Sequence, residues 1–165
     1  MLNSIKTRFL IKSLSSKRSA QTEKVLSDKV GILYNDDIAD RHQLQQLVEE
    51  NFNINLEDIG FLGFSRYRYN KVEKPEYIFT TNDFSLFGKP KSKVIDEFLK
   101  TNYKLLFNYF GKDEVCLEVL AHLSEAKLKV GLQEADERVN DFLLNMESNN
   151  LDFFKESYKY IKQII

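Results

Sequence analysis

Two adjacent aspartates, Asp36 and Asp37, follow a short apolar run, and Asp40 stands three residues further on. Paired carboxylates can hold a divalent cation, or take a proton from a hydroxyl held within about 3 Å. At the start of a helix the same acids have a simpler role. They accept from the free N–H groups of the first turn and favour the positive end of the helix dipole. A second group is "FSRYRYNKVEKPEY", in which Arg66 and Arg68 alternate with Tyr67 and Tyr69. If a strand continues there, arginines and tyrosines point to opposite faces. "FGKPKSK" adds Lys89, Lys91 and Lys93. Cations interleaved with aromatics can bind phosphates and stack bases, or they can protect a sheet edge from pairing. A third feature is Gly131 in "LSEAKLKVGL". A glycine at a strand tip admits a ligand's phosphate or sugar, or it supplies a turn with positive φ.

Other chemistries fail on missing residues. Gly88-Lys89 lacks the upstream glycine and the adjacent hydroxyl of a P-loop. A lone cysteine, Cys116, and two scattered histidines, His42 and His122, give no metal-ligand spacing. Cys116 falls on the core face of its helix, where a thiol packs inertly, and both histidines fall off the apolar stripes of theirs. No serine has a histidine and an acid at a recognised spacing. No catalytic residue, metal or cofactor is therefore assigned.

The elements that position these residues alternate. "KVGILY" reads as strand one, Val30–Tyr34, and helix one follows over Ala39–Asn51 with Leu44, Leu47 and Val48 on one face. "IGFLGF" is strand two. "EYIFTT" comes a dozen residues later, too soon for a crossover helix, so an antiparallel hairpin is expected. A helix starts near Ser92 with Val94, Ile95, Phe98 and Leu99 inward, and "YKLLFNYF" is strand four. Asp113 is expected to cap the next helix, whose core face is Cys116, Val119, Leu120 and Leu123. That helix is expected to run through Ala126 into strand five, Leu128–Val130. "DFLLNM" is strand six. Asn149 or Asn150 caps a last helix with Leu151, Phe154, Tyr158, Ile161 and Ile165 inward.

The result is one three-layer, Rossmann-like α/β domain over residues 29–165. Its sheet is mostly parallel with one antiparallel hairpin. Ligands of such sheets bind at the carboxyl ends of the strands. The candidate ligand site is accordingly Asp36, Asp37, Asn82, Asp83, Asn108 and Gly131. The candidate anion site is Arg66, Arg68, Lys89, Lys91 and Lys93.

The whole chain resembles a bacterial domain-of-unknown-function family of similar length. The resemblance lies in the basic start, "VGIL", "FGKPKSKVIDEFLKTNYKLLFNY", "LSEAKLKVGL", "NDFLLNM" and a final aromatic helix. It implies a compact cytosolic α/β protein and no particular activity. Residues 103–131, "YKLLFNYFG…LEVLAHLSEAKLKVG", are similar to the strand–helix–strand of the N-terminal domain of heptosyltransferases. In that family a glycine–aspartate pair in the first loop activates the acceptor hydroxyl. The matching stretch here is "NDDIAD", where Asp36 or Asp37 supplies the acid but the glycine is missing. The family's second, sugar-nucleotide domain has no counterpart in these 165 residues. The likeness implies shared architecture, as in a degenerate glycosyltransferase-like domain, rather than transfer activity. Paired acids after strand one also occur in response-regulator receivers, beside a phosphorylatable aspartate at a central strand tip. Strand four ends here in Asn108-Tyr109-Phe110, without an acid.

Composition bounds the rest. With 165 residues, 42% hydrophobic and 30% charged, the chain is globular and single-domain in size. No apolar run approaches the roughly 20 residues that span a bilayer. "IKTRFLIKSL" breaks its apolar patches with cations, so no secretory signal is expected. The single cysteine fits a reducing, cytoplasmic setting. Residues 1–29 carry +5 and the remainder −6, summing to −1. A basic helical arm on an acidic body can bind nucleic acid or an anionic membrane through Lys6, Arg8, Lys12, Lys17 and Arg18. The leading expectation is a non-enzymatic binding or adaptor protein with an unknown protein partner. A small-molecule or sugar-phosphate site at the strand tips, and RNA or membrane association through the arm, are the alternatives. The arm's polar composition offers the body few core contacts. Removing residues 1–24 is therefore expected to leave a single cooperative thermal transition, and its loss would make the arm part of the core.

Overall fold

The computed structural model describes residues 28–69, 72–147 and 150–164, with Lys12 alone before them. The predicted basic arm lies almost wholly outside the described residues, as do Asn149 and Ile165. Six strands form one sheet in the order β3-β2-β1-β4-β5-β6, and every pairing is parallel. The strands are β1 Val30–Asn35, β2 Ile59–Phe64, β3 Ile78–Phe79, β4 Tyr103–Tyr109, β5 Ala126–Leu132 and β6 Phe142–Leu144. The helices are α1 Arg41–Phe52, α2 Lys93–Lys100, α3 Val115–Leu123 and α4 Phe153–Ile161. Among the described residues no helix is long and apolar enough to cross a membrane.

The strands read as continuous apolar runs because both faces of the sheet are covered. Leu33, Leu62, Phe64 and Leu106 pack against α2 and α3 through Ile95, Phe98, Leu117 and Leu120. Ile32, Tyr34, Phe61 and Phe107 pack against α1 and α4 through Leu44, Val48, Phe153, Phe154 and Ile161. This makes three layers. Strand order reverses between β1 and β4, the switch point at which doubly wound sheets leave a crevice.

Two glycines on the α2 face make room for one tyrosine ring. Gly31 and Gly60 stand opposite one another in the β1–β2 ladder. The Tyr103 ring, leading into β4, lies across both. A Cβ on Gly60 would come 2.5 Å from the Tyr103 hydroxyl, and one on Gly31 would come 3.1 Å from the ring.

Several expectations are corrected. β3 pairs in parallel with β2, Gly63 opposite Ile78 and Phe64 opposite Phe79, so no antiparallel hairpin joins them. A strand of two residues needs only a short return path, which residues 65–77 can span with no helix among those described, since extended chain spans about 3.3 Å per residue. Asp113 does not cap α3. It takes a left-handed φ of 64°, and Glu114 occupies the cap position without a side-chain cap bond. α3 ends at Leu123, which is 42% exposed rather than in the core, and Ser124 Oγ donates back to Leu120 O at 2.7 Å. β5 therefore begins at Ala126 and runs past Gly131 to Leu132. In α4 the buried side chains are Phe153, Phe154, Ser157 and Ile161, whereas Tyr158 is 38% exposed.

Gly60→Ala should cost roughly 1–3 kcal/mol by overpacking against Tyr103. The cost should shrink in a Tyr103→Phe background, which removes the nearest atom. A thermal-melting double-mutant cycle measures that coupling, and additive effects would show that the hydroxyl does not set the spacing.

Candidate functional site

The switch-point crevice is bridged by the chain's own side chains. β1 ends at Asn35, whose Oδ1 accepts from Asp37 N at 2.9 Å, turning the chain over the sheet. Its Nδ2 donates to Glu114 Oε1 at 2.7 Å, crossing to the head of α3. Asp36 N continues the ladder to Phe64 O at 2.8 Å.

The two acids then seize the chain leaving β2. Asp37 accepts from Ser65 Oγ and from Arg66 N, both at 2.7 Å. Asp36, 4% exposed, accepts from Arg68 Nη1 at 3.2 Å and from Tyr69 Oη at 3.1 Å. Arg66 Nη2 lies 3.7 Å from Glu114 Oε2, an ion pair beyond hydrogen-bond reach. The strand does not continue through 65–69, so the expected alternation of arginines and tyrosines across two faces is absent. Nor do all three acids cap α1. Asp40 does so alone, accepting from Gln43 N at 3.1 Å.

Beneath this layer, Arg41 lies between two rings, 4.8 Å from the Phe61 centroid and 4.7 Å from that of Tyr77. Cation–π attraction of this kind ties the head of α1 to the approach to β3. The Tyr34 hydroxyl, wholly buried nearby, is pushed far above its ordinary range by burial first and then by the Asp36 carboxylate.

The remaining candidates lie apart. Asp83 Oδ2 accepts from Thr80 N at 2.8 Å and from Lys74 Nζ at 3.0 Å, which fixes the turn after β3. Asn82 is exposed on that turn. Two open clefts flank it. One of about 390 Å³ is lined by Tyr69, Lys74, Thr80 and Asn82, and one of about 290 Å³ by Lys74, Pro75, Lys93 and Glu97. Lys89 and Lys91 are exposed, and Lys93 pairs with Glu97 at 3.4 Å on the α2 surface.

Asn108 and Gly131 are paired neighbours in the sheet, each one residue short of its strand's carboxyl end. Gly131 has no positive φ. It is needed for space: a Cβ there would sit 2.6 Å from the Asn140 amide. That amide accepts from Asn108 Nδ2 at 2.7 Å and donates to Asp136 O at 2.9 Å. An internal amide bridge between β4 and the loop after β5 thus accounts for this glycine.

Sequence reasoning missed Glu114, Glu118, Asp136, Arg138, Asn140 and the wholly buried Lys129, whose Nζ donates to Ala121 O at 2.5 Å. Lys129 carried a readable signal, since it sits between Leu128 and Val130 in a run covered on both faces. The others are loop or helix residues whose partners lie far off in sequence. Burial raises the Glu118 carboxyl above its ordinary range, and Asp136 and Asp113 add to this while Arg138 opposes it. Asp136 is lowered, chiefly by its hydrogen bond from Arg138. Among the described residues no cluster of three His, Cys, Asp or Glu side chains could hold a metal ion.

The model of a family of unknown function, DUF6913, matches residues 3–164, and the chain belongs to that family. No curated protein and no solved structure matches it. The family match agrees with the whole-chain resemblance and carries nothing of the heptosyltransferase likeness.

Glu118 gives a signed pH dependence. Its folded-state pKa is raised, so its contribution to stability is greatest below the ordinary carboxylate range and is lost as pH rises through the raised value. Glu118→Gln should therefore melt higher than wild type at pH 8. The gain should vanish toward pH 4, and an equal gain at both pH values would assign it to something other than charge.

Proposed function

We propose that this member of the DUF6913 family is a non-enzymatic binding or adaptor protein that docks a partner protein on the carboxyl edge of its sheet. One observation carries the reading. Asp36 and Asp37, the acids best placed for chemistry, are already engaged by Ser65, Arg66, Arg68 and Tyr69. A bound phosphate at this switch point would face Asp36, Asp37 and Glu114. It would also lack the glycine-rich turn that lets phosphate approach backbone N–H groups.

The surface above the network suits a protein better. Ile38 is 54% exposed and Tyr67 69% exposed, and the Arg66 guanidinium lies 5.9 Å from the Tyr67 ring. Tyrosine and arginine are the residues most often found at the energetic centre of protein interfaces. The competing small-molecule reading needs the Arg68–Asp36 pair to open before a ligand can reach the acids.

Thermal melting with magnesium, nucleotides and sugar phosphates separates the two. No ligand at millimolar concentration should shift the wild type more than Asp36→Asn/Asp37→Asn. That double variant should itself lose about 1–3 kcal/mol, because it leaves the Ser65 and Arg66 donors poorly paired. A shift confined to the wild type would favour the ligand site and sink the adaptor. On the adaptor reading, Ile38→Ser/Tyr67→Ser keeps the wild-type melting point while losing a partner captured by the wild-type chain.

A further inference from the structure

The connection from β3 to α2 contains a tight hairpin. Phe84 bridges Pro90 in antiparallel fashion at its stem. Phe84 is 1% exposed, with its ring 5.9 Å from that of Phe79, so the stem is rooted in the core. Ser85 N donates to Lys89 O at 2.8 Å, Gly88 N to Ser85 O at 3.0 Å, and Lys89 N to Ser85 Oγ at 3.1 Å. Gly88 takes the left-handed φ of 74° that this turn requires. Lys91 N donates to Asp83 O at 2.9 Å and closes the base.

This rigid turn carries two large apolar side chains outward, Leu86 at 61% and Phe87 at 65% exposure. Lys89, Lys91 and Lys93 follow, all exposed, and residues 84–93 contain no acid. A hairpin that holds apolar groups out at its tip with cations behind them has the chemistry of an interfacial anchor.

We propose that this hairpin binds an anionic lipid surface. Leu86 and Phe87 enter the boundary between headgroups and acyl chains, and Lys89 and Lys91 meet the lipid phosphates. The charge arrangement favours a bilayer over RNA. Leucine offers no stacking platform, and the apolar pair projects from a turn tip instead of lying along a groove. The acidic body does not forbid it, because physiological salt confines charge repulsion to about 8 Å. Each lysine near an anionic surface contributes about fivefold in partitioning, from about 1 kcal/mol each.

The full-length chain is tested by co-sedimentation with phosphatidylcholine vesicles, with and without phosphatidylglycerol. Binding is expected only with the anionic lipid. Lys89→Gln/Lys91→Gln should weaken it about 25-fold. Leu86→Ser/Phe87→Ser should weaken it at least about tenfold, for partial insertion of the two side chains. The lysine pair is fully solvated, so its variant should melt as wild type and keeps the test valid should the apolar variant misfold. The proposal is overturned if the wild type ignores anionic vesicles. It is equally overturned if either folded variant binds them as the wild type does, which would assign binding to the basic arm. Preference for a single-stranded RNA oligomer over the vesicles would also overturn it.

Discussion

A parallel return from β2 to β3 whose described residues form no crossover helix is the constraint on which this end of the molecule depends. A helix would normally lie on the sheet and hold such a crossover by burial. Among the described residues of 65–77 there is no such element. Their path is held instead by charge-assisted hydrogen bonds from the loop after β1. Asp37 takes the first two donors after β2, Ser65 Oγ and Arg66 N, and Asp36 takes Arg68 and Tyr69. At the far end Tyr77 rests on Arg41, the first residue of α1. Bonds to ionised acceptors are about twice as strong as neutral ones, which suits them to replace a missing helix.

The same economy explains why acids and arginines that look like two separate sites prove to be partners. Each set considered alone suggests a ligand: acids a cation, arginines a phosphate. Joined, they leave little net charge for a ligand to meet. Asn35 and Glu114 extend the bridge from β1 to α3, so the crevice is spanned on both sides of the reversal. Two open clefts among the described residues lie at the β3 side, around Lys74 and the Thr80–Asp83 turn.

How much was legible follows from where the information resides. β1, β2 and β4 were readable almost to the residue, because strands buried on two faces are unbroken apolar runs between polar punctuation. β3 was not readable as a parallel strand. Only Ile78 and Phe79 join the ladder, and direction is decided by side chains from a different loop. Asp36 and Asp37 were recognised as important for the wrong physical reason, because Asp40 alone caps α1 and their true partners lie 28–33 positions away. Gly131 misled similarly. A glycine in a strand reads as a turn, whereas here it clears space for an amide 9 positions on, which composition cannot reveal.

Both proposed contact surfaces arise where this fold replaces regular structure with short, hydrogen-bonded loops. Burial holds the sheet and its helices together, so their apolar residues point inward and few are left for recognition. The loops 36–40, 65–69 and 84–91 are held by polar bonds as well, so that only some of their large side chains, such as Phe84 and Tyr69, pack into the core. Ile38, Tyr67, Leu86 and Phe87 are all more than half exposed, and all four lie in these segments. Side chains left outward on a rigid loop lose little further backbone freedom when a partner covers them, which lowers the cost of binding. The same carboxylates that span the crevice thus hold the loop that presents Tyr67.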